Sequence, residues 1–247
     1  MYFKTEGLVL RETEYKEADK LLTVLTKDRG KLTLRARGVR SKSSRLKGGC
    51  QLLAYSEFTV FENRGMNLID EAVPIMLFMP LRSDIEKLSL ASYFAQVAEV
   101  LSQEDSPDPE LLSLCLNAIY ALAELEKPQE LVKATFELRA ACQAGYLPEL
   151  SACSVCGNPE PDRFLVAEGT VQCAGCLAGE QTGLRLPVHS GALRALRYIT
   201  TCDSRRLFSF QLGDEGLKEL SGIAETYLLT QLERGFFTLD FYKSMKI

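Results

Sequence analysis

Cys153, Cys156, Cys173 and Cys176 stand in the pattern C-x2-C-x16-C-x2-C, within the segment CSVCGNPEPDRFLVAEGTVQCAGC. Two residues between paired thiolates let one tight turn aim both sulfurs at a single ion about 2.3 Å away. Two such pairs at this separation are the pattern of a four-cysteine zinc site. Four thiolates close the tetrahedron and leave no position for water, so the expected ion is one structural Zn2+ per chain. Gly157 and Gly175 lie in or beside the two turns, where a positive φ or a close approach is expected. Between the pairs, RFLV and TVQC read as a hairpin turning at Glu168-Gly169, which would make a zinc ribbon. Two unlinked CxxC pairs, redox or otherwise, are the alternative. Cys50, Cys115, Cys142 and Cys202 have no partner pattern and read as structural or incidental.

A second feature is electrostatic. Residues 27–47, KDRGKLTLRARGVRSKSSRLK, hold nine bases and one acid in a chain of formal net charge −4. The rest of the chain has 20 bases against 32 acids. A cationic block inside an acidic protein is an electrostatic footprint for an anionic partner. In KLTLRARGV, Leu32, Leu34 and Ala36 fall on one face of a strand, and Lys31, Thr33, Arg35 and Arg37 on the other. The segment after the strand, with Arg40, Lys42, Arg45 and Lys47, would extend the basic surface as a mobile loop. A solvated surface is the bland reading, and an anionic membrane another. The membrane reading is weakened because no amphipathic helix with a large apolar face occurs in this region. Nucleic acid fits best, with charge following the backbone and Tyr15, Tyr55 or Phe61 available for stacking on bases.

The sequence offers little to an enzyme. His189 is the single histidine, so any His-based triad would have to use it, and its place at a helix start reads as incidental or as a cap. No phosphate-binding GxxxxGK[ST] loop and no GxGxxG after a strand is present. The acids are spread along polar faces, and Glu12, Glu14, Glu17 and Asp19 read as a solvated turn rather than a metal site. The expectation is a non-enzyme. A metal-dependent nucleic-acid enzyme with an unrecognised carboxylate site, and a protein adaptor that binds no DNA, are the competing readings.

Around these features the elements are legible. FKTEGLVL, KLLTVLTK, KLTLRARGV, YSEFTVFE and MNLIDEAVPI read as five strands separated by Gly- or charge-rich turns, a pattern that suits a small closed barrel. From Pro80 the period becomes helical. Ser83 with Glu86 reads as a capping box, Asp108 with Pro109 as a second helix start, and Pro128 as a third. Short connections make these three helices a small antiparallel bundle. SGALRALRYI and EGLKELSGIAETYLLTQL read as two more. The fold class is α+β multidomain. Residues 1–80 are expected to form a nucleic-acid-binding barrel and 81–247 a mainly α-helical domain, with the zinc ribbon inserted at about 150–180. A hydrophobic content of 46% is that of a folded chain. The first twelve residues carry Lys4, Glu6, Arg11 and Glu12, unlike a secretion signal. Unpaired cysteines favour a reducing cytoplasm.

The opening GLVLRETEYKEADKLLTVLTKDRGKLTLRARGVRSKSSRL resembles that of the bacterial RecO family of recombination mediators. The resemblance rests on the acidic turn before KLLTVLT, the T-x-x-x-G-K hairpin and the G-V-R-x-x-x-S-R-L segment. The order of barrel, helices, four-cysteine insertion and further helices also matches, over essentially the whole chain. It implies an OB-fold at the N-terminus and binding of single- and double-stranded DNA. It further implies annealing of complementary strands and, together with RecR, help in loading RecA onto DNA covered by single-stranded-DNA-binding protein. Carried onto matching positions, Lys31, Arg35, Arg37, Arg40, Lys42, Arg45 and Lys47 would hold phosphates, and barrel-face residues would contact RecR. The acidic C-terminal tail of the single-strand binder would meet the helical part, with Arg194, Arg197, Arg205 and Arg206 as sources of charge. A nucleoid-associated cytoplasmic protein follows from the same resemblance.

Overall fold

Alternating apolar residues in the first 76 positions need two walls that share one interior, and a closed barrel supplies them without an exposed sheet edge. The computed structural model describes residues 1–63, 65–176 and 183–245. Strands β1 (Tyr2–Tyr15), β2 (Asp19–Thr26), β3 (Gly30–Ala36), β4 (Tyr55–Asn63) and β5 (Met66–Met76) form a closed barrel in the order β1-β2-β3-β5-β4. The antiparallel β1–β4 pairing and the parallel β3–β5 pairing, Leu34 opposite Asn67 and Arg35 opposite Leu68, close it. This five-stranded arrangement is the OB-fold. Val9, Leu22, Val24, Leu34, Phe58 and Val60 fill the interior and are fully buried. Residues 64, 177–182 and 246–247 lie outside the described residues.

The chain divides into two compact units, Met1–Leu125 with Phe236–Ile247, and Glu126–Gly235. In the first, α1 (Ile85–Leu101) packs on β1, on α2 (Pro109–Ala123) and on α6 (Phe237–Met245), the last a helix without a clear sequence signal. Helix α2 starts as expected, with the Asp108 carboxylate accepting from the Leu111 amide at 2.9 Å. The start of α1 is displaced by one residue from the capping-box reading. Asp84 is the cap, accepting from the Lys87 amide at 3.0 Å, and the Ser83 hydroxyl instead donates to the Pro80 carbonyl. An anionic carboxylate is the stronger acceptor at a helix N-terminus, so Asp84 wins over its neighbour.

In the second unit α3 (Gln129–Gln143) packs against α4 (Ser190–Thr201) and α5 (Asp214–Gln231). The three-helix bundle expected from short connections is therefore divided after α2. Helix α3 is buried on nearly every side, from Leu131 through Ala141, because α4 and α5 return from far along the chain to cover it. Local spacing cannot show that. Between α3 and α4 lies a small sheet of β6 (Arg163–Leu165), β7 (Thr170–Gln172) and β8 (Arg185–Pro187), in the order β7-β6-β8. The hairpin turns at Glu168-Gly169 as read from sequence, and β8 is an addition to it. Phe164 of β6 meets Tyr227 of α5 edge-to-face at 5.4 Å between ring centres, which seats the sheet on the helices. Among the described residues, no helix is long and apolar enough to cross a membrane.

Candidate nucleic-acid interface and metal centre

The basic segment begins on the barrel wall. In β3, Leu32, Leu34 and Ala36 point inward and Lys31, Thr33 and Arg35 outward, as the alternation requires. After Ala36 the chain runs through turns to Ala54. Val39 and Cys50 enter the barrel core, and Leu46 packs against it. Burial pushes the Cys50 thiol up to about 12, so this cysteine serves as a small apolar side chain. With the apolar members drawn inward, Arg37, Arg40, Lys42, Arg45 and Lys47 are left on the exposed side. The segment is thus pinned at three points and cationic on its outer surface.

The seven expected phosphate-holding residues are not equivalent. The Lys31 ammonium donates to the Glu99 carbonyl at 2.8 Å, closing the C-terminal end of α1, while its amide donates to Gln103 O at 2.9 Å. The neighbouring Gly30 shows why the hairpin carries glycine. Its φ is +65°, and a Cβ there would lie 2.5 Å from the Ser106 carbonyl oxygen. Thr26 seals the same turn, donating to Gly30 O at 2.7 Å and accepting from the Arg29 amide at 3.1 Å. Arg35 is held by Asp19, with Nε at 2.8 Å and Nη2 at 2.6 Å from the same carboxylate oxygen. The pair is largely covered, with side chains 12% and 13% exposed. Arg40 pairs with Glu14 at 3.1 Å, a contact whose acid is 69% exposed. Lys47 Nζ lies 3.4 Å from the Lys42 carbonyl. Among the described residues no carboxylate pairs with Arg37, Lys42, Arg45 or Lys47.

The acids read as a solvated turn are not one: Glu12 and Glu14 lie in β1, and Asp19 opens β2 and is buried. Glu12 pairs with Lys20 at 2.9 Å, Glu14 with Arg40 and Asp19 with Arg35. Between hairpin and segment lies a groove of about 430 Å³ with Glu12, Glu14, Lys20, Arg40 and Lys47 on its walls. The Asp19 carboxyl is held below its usual range, first by the Gly38 amide and then by Arg35. The three aromatics differ in availability. Tyr15 lies under the Arg35 guanidinium at 5.1 Å, Tyr55 donates to Glu6 at 2.7 Å, and Phe61 meets Tyr2 at 4.8 Å between ring centres.

The cysteines converge in the second unit. The sulfurs of Cys153, Cys156, Cys173 and Cys176 all lie within 4.8 Å of one another, and they could hold a metal ion. The Cys156 and Cys173 sulfurs are 3.9 Å apart, close to the edge of about 3.8 Å for a tetrahedron of 2.3 Å radius. The first knuckle turns at Gly157, whose φ is +73° and whose amide donates to the Cys153 carbonyl at 2.9 Å. The second is a turn of 3₁₀ helix, Ala174–Cys176, in which Gly175 keeps a negative-φ conformation. N–H donors already point at the sulfurs: the Cys173 amide at 3.3 Å from Cys153 Sγ, and Asn158 Nδ2 at 3.2 Å from Cys173 Sγ. Backbone donors, that of Cys156 foremost, draw the Cys153 thiol down to about 6. The neighbouring Cys156 sulfur foremost holds Cys176 up to about 12. Four crowded thiols cannot all ionise alone, and a cation among them would resolve the repulsion. The last four positions of the expected ribbon, 177–180, lie outside the described residues.

Arg197 ties this centre to α4. Its guanidinium donates to the carbonyls of Leu150 at 2.8 Å, Ser151 at 2.9 Å and Pro159 at 2.6 Å. It is thus committed to the ribbon's entry, while Arg194, Arg205 and Arg206 are exposed. Sequence alone could not separate these four. His189 precedes α4, its Nδ1 in contact with Glu219.

Residues 1–78 match the family model described as Recombination protein O N terminal, and 82–240 the one described as Recombination protein O C terminal. The chain belongs to the RecO family. Its relatives include the DNA repair protein RecO of Acetivibrio thermocellus, 32% identical over 99% of this chain and 97% of the relative. Another, of the same description, is from Heliobacterium modesticaldum, 34% identical over 90% of this chain and 82% of the relative. A third, from Anaeromyxobacter dehalogenans, is 35% identical over 78% of this chain and 77% of the relative. The RecO assignment spans the barrel, the helices and the cysteine cluster alike.

Proposed function

We propose that this protein is a DNA repair and homologous recombination mediator. It binds single- and double-stranded DNA, anneals complementary strands, and acts with RecR to load RecA onto DNA covered by single-stranded-DNA-binding protein. The observation that carries the reading is the segment 37–47, whose apolar side chains anchor it to the barrel core and whose cations face outward. Family membership supports it independently.

In this reading residues 1–80 form the nucleic-acid-binding domain, and Arg37, Arg40, Lys42, Arg45 and Lys47 take phosphates. Lys31 and Arg35 shape the wall from which that segment leaves. Two strands repel through their backbones, and a surface that neutralises several phosphates lowers that barrier without reading sequence. Base pairing then supplies all the specificity, and no bond is made or broken by the protein. The helical part, residues 81–247, meets the acidic tail of the single-strand binder, with Arg194, Arg205 and Arg206 supplying positive charge. The barrel face meets RecR, and the protein works in the cytoplasm at the nucleoid. One structural Zn2+, held by Cys153, Cys156, Cys173 and Cys176, stabilises the second unit and takes part in no reaction.

Incubating complementary strands with the protein and Mg2+ tests the reading. Faster annealing with intact strands supports it. Cleavage would favour a nucleic-acid enzyme, and absence of DNA binding at physiological salt would favour a protein adaptor.

A further inference from the structure

Within the basic stretch, a covered ion pair and an exposed one lie side by side. Asp19 binds with both oxygens. One accepts Arg35 Nε and Nη2 at 2.8 and 2.6 Å, and the other accepts the Gly38 amide at 2.8 Å. One carboxylate therefore joins the end of the β1–β2 hairpin to strand β3 and to the first residues of the basic segment. The Arg40 amide, donating to Ala18 O at 3.0 Å, continues the seam, and the Ser41 amide closes the following turn on Gly38 O at 3.0 Å. Arg35 also lies over the Tyr15 ring, 5.1 Å from its centre. A guanidinium so covered, with Nε and Nη2 on one carboxylate oxygen and Nη1 3.6 Å from Met66 Sδ, has little left to offer a phosphate. Glu14 differs: it is 69% exposed and makes a single contact with Arg40.

We propose that Asp19 is a positioning residue that, through Arg35 and the Gly38 amide, sets the 37–47 segment in its DNA-binding conformation, and that Arg35 itself contacts no phosphate. This rests on the DNA-binding reading above. Glu14 by contrast is a competitor that a phosphate displaces from Arg40. The two acids sit on one hairpin beside one cationic segment, so simple Coulomb attraction predicts that neutralising either strengthens DNA binding. A strut predicts opposite signs.

The test compares the full-length protein with D19N, E14Q, R35Q and R45Q, using a fluorescent oligothymidine and a salt titration. D19N is expected to weaken binding about five- to tenfold, since the segment must then be ordered on binding. E14Q is expected to tighten it about twofold. R35Q should weaken binding with an unchanged log–log salt slope, whereas R45Q should lose about 0.7 of slope, the single-strand value per phosphate. Tighter or equal binding by D19N, or a slope loss in R35Q matching that in R45Q, would overturn the proposal. A second arm needs no DNA. Hydrogen exchange at the Gly38, Arg40 and Ser41 amides should speed up in D19N and in R35Q and stay unchanged in E14Q. Unchanged protection in both strut variants overturns the proposal. Failure of the unaltered protein to bind the oligomer, with that exchange pattern present, removes the DNA reading and the phosphate clause but leaves Asp19 as the strut.

Discussion

Replacing Arg37 and Arg45 together by glutamine perturbs the proposed DNA-binding surface with least risk to the fold. Both side chains are exposed and neither pairs with a carboxylate among the described residues. The segment offers five outward cations, Arg37, Arg40, Lys42, Arg45 and Lys47. Arg40 counts among them because an exposed ion pair such as that with Glu14 is worth only about 0–1 kcal/mol and yields to a phosphate. Five phosphate contacts on single-stranded DNA give a log–log salt slope of about −3.5, and three give about −2.1. Between 50 and 200 mM salt the unaltered protein should then lose affinity about 130-fold, and the double variant about 18-fold. Fluorescence anisotropy with an oligothymidine measures both slopes, and thermal unfolding should give the same midpoint for the two proteins. A double variant that keeps the original slope would refute the assignment of phosphates to this segment.

Three other expectations follow from the geometry. Metal analysis of the purified protein should find one zinc per chain, and C173S should lose it and unfold at lower temperature through the second unit; an intact chain without metal would contradict the structural-zinc account. G30A should destabilise by about 1–3 kcal/mol in urea unfolding, because its Cβ would meet the Ser106 backbone, whereas G38A, at φ +63° with open space around it, should cost less; equal costs would contradict the close-approach argument. Since the folded Asp19 carboxyl titrates below its ordinary value, its contribution is complete above the unfolded value near pH 4 and fades as pH falls through the folded one. Amide protection at Gly38 should therefore drop in that acid window, and D19N should show low, pH-independent protection there; a wild-type profile in D19N would contradict it.

Some of this was legible in sequence because local rules govern it. Alternation in KLTLRARGV places Leu32, Leu34 and Ala36 inward without reference to any other strand. The spacing of Cys153, Cys156, Cys173 and Cys176 carries its own geometry, and the four sulfurs do converge. Asp108 before Pro109 marks a helix start by chemistry confined to one turn. What the sequence concealed is non-local. Nothing near Arg35 in the chain announces Asp19, sixteen positions earlier, and nothing near Lys31 announces Glu99, sixty-eight positions later. Helix α6 is short, and β8 becomes a strand only by pairing with β6. Arg197 looked like any surface arginine until the chain brought three carbonyls to it. A charge count finds a basic segment, but only the fold tells which cations remain free.

The most direct measurement is the rate at which complementary single strands anneal, followed by fluorescence quenching, with the unaltered protein and with a variant carrying R37Q, R40Q, K42Q, R45Q and K47Q. A large acceleration by the first, abolished in the second while the fold and zinc content stay intact, is the predicted result. Equal acceleration by both would place the annealing surface elsewhere and contradict the account.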